Sequence, residues 1–369
     1  MALQTSGQIS LGDVRGELDS SGQISLGSSN VRELFGISSG EIQMSDGYGA
    51  TSGTPIFLAH SSSGGTSTSN MEFLGGTIES PQHLATAPDT AFSIGAARVD
   101  PDDQLLFYIN NDRDGIVKVD YSDINNLVST NFSIDVVKLS INTTYRRLYA
   151  LDGGDITIFD YNFNVIKSIS TGYPGIAADL TYTEDAFIYQ EIFGTTITEL
   201  DADGNFVKDV NSGSDFGVFA ESRDLRYDSV NDKLVGFEGA GSLFDPFVVY
   251  NWSLGASGSV SVVDYQSFND TGQGSFILFP EVQKLIFAGL DTYSLIDYSG
   301  PLVREDTISR LGIRTGSTRI GNTNIIAAMD RTQERIDFIE LDGNNINLIS
   351  SYDGSGVGGA TNGDVVYLE

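Results

Sequence analysis

Carboxylates are the chemistry this chain has most of. Fifty Asp and Glu stand against twenty Lys and Arg, a net charge of −30, with two histidines and no cysteine. The lack of cysteine excludes disulfides, thiolate nucleophiles and thiolate metal sites. His60 and His83 both precede the first complete repeat unit described below, so a histidine general base at the centre of the repeats is not expected. Glycoside cleavage needs two carboxylates at a defined separation in space, and among so many acids no pair stands out by spacing. Asn110-Asn111-Asp112-Arg113-Asp114-Gly115 opens like a calcium loop, but its twelfth position is Tyr121 where a bidentate acid belongs. Asp152-Gly153-Gly154-Asp155 and Asp201-Ala202-Asp203-Gly204 are shorter still, and hairpin turns account for all three. The one tryptophan, Trp252, lies on a strand-like segment and reads as packing rather than a sugar platform. Sixteen tyrosines include Tyr121, Tyr161 and Tyr298, each one residue past a turn aspartate; a sugar- or protein-binding rim is one reading, packing between neighbouring repeats the favoured one.

The charge balance argues against nucleic acid, which requires clustered Lys and Arg, and against electrostatic binding to acidic membranes. Solubility is the plain explanation, divalent-cation binding the sharper one. The first residues, MALQTSGQISLG, have neither a basic nor an apolar stretch, so no signal peptide is expected, and without a run of 18 apolar residues no membrane span is expected either.

The elements that would position any site are repeats. Seven short apolar runs recur: LFYIN from Leu106, LYALD from Leu148, FIYQE from Phe187, LVGFE from Leu234, LIFAG from Leu285, IIAAM from Ile325 and VVYLE from Val365, at offsets of 42, 39, 47, 51, 40 and 40 residues. After six of them an alternating segment ends in a turn residue: Asp120, Asp160, Asp201, Asn251, Asp297 and Asp342. Strands at this period predict an all-β propeller of four-stranded antiparallel blades. The seventh run lacks its outer strands, and Met71–Ile78 has a strand-then-turn layout able to supply them. The expectation is therefore seven blades, the last one composite, with the C-terminus giving inner strands and residues 71–86 outer ones; six blades is the alternative. The domains expected are a motif array over 1–49, a Gly/Ser/Thr-rich linker over 50–70, and the propeller over 71–369.

The array holds one motif three times: SGQISLGD from Ser6, SGQISLGSSN from Ser21 and SGEIQMSD from Ser39. The alternating pairs Ile9/Leu11, Ile24/Leu26 and Ile42/Met44 predict short strands with one apolar face. Asp13, Asn30 and Asp46 read as turn residues or N-caps, and the segments from Val14 and Val31 as single helical turns. Units this small do not make a core of their own, so the array is expected to dock on a partner. Together with Ala2-Leu3-Gln4, Val31-Arg32 and Met44-Ser45-Asp46-Gly47-Tyr48-Gly49, these motifs resemble the N-terminal segments of tailed-bacteriophage virion proteins, especially from marine and cyanobacterial phages. Gly47 stands where an aromatic is commoner.

That resemblance covers about an eighth of the chain. It implies a structural protein of the virion, tail-associated, made in the host cytoplasm, oligomeric within the particle and in contact with other virion proteins. The docking residues expected are Ile9, Leu11, Ile24, Leu26, Ile42, Met44 and Tyr48. The propeller would then be displayed toward a host-surface glycan or protein. On this reading the chain is not an enzyme and uses no cofactor, metal, nucleic acid or membrane insertion. The alternatives are a capsid or neck decoration protein and a polysaccharide-degrading enzyme on the particle.

Overall fold

The computed structural model describes residues 10–17, 25–26, 31, 43, 56–63, 69–91, 97–110, 114–136, 138–152, 155–170, 177–182, 186–191, 196–211, 222–238, 246–253, 260–267, 274–289, 291–310, 314–330, 335–353 and 365–368. The chain forms two compact units, Met1–Phe57 with Leu74–His83, and Leu58–Phe73 with Leu84–Glu369.

In the first unit, helix α1 (Leu11–Glu17) follows the first motif copy. Ser10 is its N-cap: the Ser10 Oγ accepts from the Asp13 amide at 3.2 Å, while the Ser10 amide donates back to Asp13 Oδ2 at 2.7 Å. This reciprocal pair satisfies two backbone donors that a helix start leaves open. These hydrogen bonds from Ser10 hold the Asp13 carboxyl below its usual pKa. Asp13 is thus the third helical residue rather than the cap, and Leu11 begins a helix instead of ending a strand. Val14 and Val31, at matching places after two motif copies, are both fully buried.

The second unit is an all-β propeller. Its first strands are β1 (Leu58–Ser63), β2 (Ser69–Thr77) and β3 (Ser80–Ala91), the last two extending through residues of the first unit. Six sheets of consecutive antiparallel strands follow. Blade 1 is β4 (Arg98–Asp100), β5 (Leu105–Ile109), β6 (Gly115–Asp120) and β7 (Val128–Ser133). Blade 2 is β8 (Lys138–Asn142), β9 (Arg147–Asp152), β10 (Asp155–Asp160) and β11 (Val165–Ser170). Blade 3 is β12 (Ala177–Tyr182), β13 (Ala186–Glu191), β14 (Thr196–Asp201) and β15 (Phe206–Asn211). Blade 4 is β16 (Ser222–Asp228), β17 (Lys233–Glu238), β18 (Pro246–Asn251) and β19 (Ser261–Ser267). Blade 5 is β20 (Ser275–Phe279), β21 (Lys284–Ala288), β22 (Thr292–Asp297) and β23 (Val303–Ser309). Blade 6 is β24 (Arg314–Arg319), β25 (Ile325–Asp330), β26 (Arg335–Asp342) and β27 (Asn345–Asp353). A further four-stranded sheet joins the C-terminal strand β28 (Val365–Tyr367) to β1, β2 and β3, in the order β28-β1-β2-β3.

The expectation of seven blades, the last one composite, is therefore corrected. Six blades are continuous in the chain, the count of the alternative reading, and the remaining sheet is assembled from two distant pieces. Innermost strands touch in succession, β4 to β8, β12, β16, β20 and β24, and β28 touches both β24 and β4.

Two expectations about the composite sheet need correction. Leu58–Ser63, inside the segment read as linker, is strand β1, paired with β28 through Leu58↔Tyr367 and His60↔Val365. Composition hid it, because Ser and Gly surround a three-residue apolar patch. The run at Val365 is also not the second strand of a unit, as the other six runs are. It is the innermost strand of its sheet, with Val365 buried and Val366 and Tyr367 half-buried.

All six turn residues expected from the pattern end a third strand. Asp160 shows how: its Oδ1 accepts from the amides of Asn162 and Asn164 and its Oδ2 from the Asn164 side chain, and Asp201 repeats the set with Asp203 and Asn205. The fourth turn residue is left-handed in both, Gly204 at φ 76° and Phe163 at φ 63°. At Gly204 a Cβ would lie 2.6 Å from Ile158 Cδ1 and Ile169 Cδ1, which must shift to admit a side chain in this left-handed position.

The core lies between blades. Each of five apolar clusters draws on two neighbouring sheets; Phe107, Ile116, Leu139, Leu148 and Phe159 link blades 1 and 2, and Phe237, Phe247, Phe276 and Phe287 link blades 4 and 5.

Candidate functional site

Polar chemistry in the propeller gathers where neighbouring blades meet, on the side bearing the turns between first and second strands and between third and fourth strands. Blade 1's innermost strand ends in Asp100 and blade 4's in Asp228; both carboxylates are buried. Each first caps its own turn, Asp100 accepting from the Asp103 amide and Asp228 from the amides of Val230 and Asn231. Each then accepts a phenol from the next blade: Tyr161 Oη donates to Asp100 at 2.8 Å, and Tyr298 Oη to Asp228 at 2.9 Å. Burial raises the pKa of both tyrosines, and the adjoining carboxylates raise it further. Asn142 ends the corresponding strand of blade 2. There the residue past the next blade's turn is Ala202, and Tyr149 of blade 2 itself reaches across to the Ala202 carbonyl at 2.9 Å. Burial pushes its phenol up to about 12. Tyr121 makes the equivalent reach from blade 1, donating to the Leu368 carbonyl just past β28 at 2.8 Å.

A second connector was not visible in the repeat pattern. The sequence has six lysines, and five of them donate from one blade to the turn of the next. Lys118 reaches the Tyr161 carbonyl, Lys167 the Gly204 carbonyl and Asn205 Oδ1, and Lys208 the Ser253 carbonyl. Lys233 reaches the carbonyls of Tyr298 and Ser299, and Lys284 those of Gly343 and, through Oδ1, Asn344. The lysines sit on different strands, second, third or fourth, so no fixed spacing reveals them. Their common feature is a fourth-strand turn one blade away.

The blade 3–blade 4 junction adds a buried charge. Glu199 is fully buried, accepts from Trp252 Nε1 at 2.6 Å, and lies 3.3 Å from Lys208 Nζ, which also stands over the Trp252 ring. Trp252 is thus core packing with a polar tether. At the opposite end of the blade 5–blade 6 junction, Asp337 accepts from Tyr293, Arg310, Arg335 and Ser351. Burial alone would raise its pKa; the hydrogen bonds from Ser351, Arg310 and Tyr293 outweigh it and leave the carboxyl low.

These arrangements are saturated. Turn aspartates receive N–H donors, the Asn164 and Asn205 amides among them, which is the opposite of presenting oxygens to a cation. Among the described residues no group of three or more His, Asp or Glu could hold a metal ion, and no helix is long and apolar enough to cross a membrane. Tyr121, Tyr161 and Tyr298 are all nearly buried, in keeping with packing between blades. His60 is buried on β1 with its ring edge toward Tyr352, 6.3 Å between centroids, and His83 is exposed on β3.

Of the expected docking residues, Leu11 is exposed on α1 and Leu26 is half-buried in a turn. Ile9, Ile24, Ile42, Met44 and Tyr48 lie outside the described residues.

No family model matches the chain, and no curated protein matches it. Solved structures do. A protein from Bacteroides fragilis described as a "putative 6-phosphogluconolactonase" is similar at TM-score 0.68 and 11% identity, over 87% of this chain and 99% of that one. A protein from Lactobacillus plantarum is similar at 0.65 and 10%, over 86% and 100%. Apo AztD from Citrobacter koseri is similar at 0.60 and 10%, over 85% and 98%. At such identities the likeness is one of fold, and a propeller fold hosts many unrelated activities.

Proposed function

We propose that this chain is a non-enzymatic structural protein of a tailed-phage particle. Its N-terminal array docks to other virion proteins at the tail or adsorption apparatus, and its propeller is a rigid head displayed toward the host surface. The observation that carries this reading is the motif SGQISLG and its variants, present three times within residues 6–46 and resembling virion N-termini. The capped helix after the first copy, and the buried valine after each of the first two, agree with a repeated folding unit rather than a structureless leader. The head's rigidity follows from its saturated junctions: interfaces held by phenol–carboxylate and lysine–carbonyl bonds leave little freedom between blades. In the same reading the composite sheet counts as a seventh blade, which closes the propeller by tying β28 to β1.

The decisive experiment is particle assembly with a chain lacking residues 1–49. A soluble propeller that no longer enters particles supports the reading, and unchanged incorporation refutes it. Labelling the propeller and imaging particles separates a tail position from the capsid or neck decoration alternative. Release of reducing or unsaturated ends from host polysaccharide would replace the non-enzymatic reading with the depolymerase one.

A further inference from the structure

Two kinds of turn share one end of the propeller, those from first to second strands and those from third to fourth. Among the described residues of blades 1 to 6, every exposed large apolar side chain stands at that end. Val128, Val165, Phe206 and Val303 open the fourth strands of blades 1, 2, 3 and 5, with Ile166 beside Val165. Tyr145, Val230 and Val282 sit in the first-to-second turns of blades 2, 4 and 5. Phe206 is 64% exposed and Val230 69%.

The blades do not need these residues. Blade 4 opens its fourth strand with Ser261 and blade 6 with Asn345, both exposed, and blade 1 has Asp102 at the turn position that is Val230 in blade 4. Two of the apolar residues are also drawn together. The Asn231 side chain donates to the Pro280 carbonyl at 2.8 Å and Lys233 to Gln283 Oε1 at 2.7 Å, which ties the turn bearing Val230 to the turn bearing Val282. Lone apolar residues on a surface need no explanation, but apolar residues gathered at one end and rimmed by polar groups mark a contact surface.

Charge says what covers it. At this end Asp102, Asp120, Asp123, Asp203, Asp232 and Asp342 are exposed. Arg146 is the one exposed base among the described residues of these blades, and it is paired with Asp103. The five lysines able to balance the acids are drawn into the junctions instead, donating to carbonyls of the next blade's turn. We infer that this end of the propeller is a docking surface for a protein segment that carries lysine or arginine around apolar side chains. The apolar contacts supply burial, and the opposite charge selects the partner and speeds encounter. A second copy fits poorly, because a two-fold pairing through this end sets acids against acids. The inference concerns the propeller alone and does not rest on the virion reading.

Fluorescence anisotropy with the full chain tests it, using labelled synthetic peptides of lysine and leucine, of glutamate and leucine, and of lysine and serine. Saturable binding of the lysine–leucine peptide alone is expected, weakening as salt is added. The double variant Val230→Ser/Val282→Ser should lose about tenfold or more in affinity, as the truncation of central apolar contacts does. Asp155→Asn, which removes an exposed acid at the opposite end, should bind as the parent does. If the double variant fails to fold, Phe206→Ser replaces it under the same requirement. The inference is overturned by no saturable binding of the lysine–leucine peptide, by equal binding of the lysine–serine one, by undiminished binding in the apolar variant, or by equal loss in Asp155→Asn. Sedimentation velocity without peptide checks the other occupant. Self-association that Val230→Ser/Val282→Ser abolishes gives the surface to a second copy and overturns the stated partner, whereas identical sedimentation of parent and variant supports it.

Discussion

The five junctions between blades 1 and 6 and the composite sheet are held by different means. Each of the five has an apolar cluster shared by two sheets and a lysine donating to the next blade's turn. The composite sheet instead depends on strand pairing between chain segments some 300 residues apart, with β28 entering as its innermost strand. Neutral hydrogen bonds link it to both neighbours, Tyr121 to the Leu368 carbonyl toward blade 1 and the Tyr367 amide to Thr318 Oγ1 at 3.3 Å toward blade 6. A continuous blade can find its neighbour through local chain. The composite sheet forms only once the termini of the propeller have met, so its stability carries the entropy of a long closure. The difference teaches that junctions and closure are separable, and each can be broken alone.

The largest effect is expected at the closure. Removing Val365–Glu369 deletes β28 and the acceptor of Tyr121, and should cost about 5 kcal/mol or more, the range of strongly disruptive changes. Calorimetry should show a melting temperature lowered by many degrees; a truncated chain that melts with the intact one means the composite sheet does not support the propeller. Next comes the charged junction. Lys208→Met removes the cation beside buried Glu199, and should destabilise by about 3 kcal/mol, as breaking a buried ion pair does. Denaturant titration measures it, and a cost equal to that of Lys167→Met would show that the burial of Glu199 is immaterial.

Smaller effects sharpen the contrast between a phenol on a carboxylate and a phenol on a carbonyl. Tyr298→Phe strips a donor from buried Asp228 and should cost about 2 kcal/mol, whereas Tyr121→Phe strips one from a carbonyl and should cost about 1 kcal/mol. Reversal of that order would place the strength at the closure. Lys167→Met, at a partly exposed junction, should cost under about 1 kcal/mol.

Alkaline pH gives the same comparison without mutation. Tyr149 is raised to about 12, and Tyr161 and Tyr298 are raised as well, by burial first. A phenol whose pKa is higher in the fold than in the unfolded chain stabilises below about pH 10, the ordinary tyrosine value, and loses that contribution as pH climbs through its folded pKa. Stability should therefore fall from pH 10 to about 12, less steeply in Tyr298→Phe. At the acid end Asp337 behaves oppositely. Its lowered pKa stabilises the fold above about pH 4, and protonation below that removes the contribution. A pH series of urea midpoints would show both arms, and a flat profile above pH 10 would count against the phenol bonds.

Much of this was legible because it is local. A strand alternates every two residues and a hairpin turn needs Asp, Asn or Gly at set places, so six second strands and six turn residues could be read directly. The capped helix was half-read: Ser10 and Asp13 have the spacing of a capping box, but the alternation of Ile9 and Leu11 suggested a strand up to that point. Strand β1 was missed for lack of apolar residues, and its partner, 300 residues away, is what makes it a strand. Of the candidate site, the tyrosines past the turns could be picked out by position, while their acceptors could not.

By itself, then, the order of residues determined the period, the strand-turn grammar, the acidic excess and the three-fold motif ahead of the propeller, because these depend on neighbours within a few residues. Only the tertiary structure decided that Val365–Tyr367 is an innermost strand, and that five lysines bridge to turns 37 to 66 residues further on. Those facts rest on which blade faces which, and a sheet edge or a buried charge chooses its partner by distance in space, not along the chain.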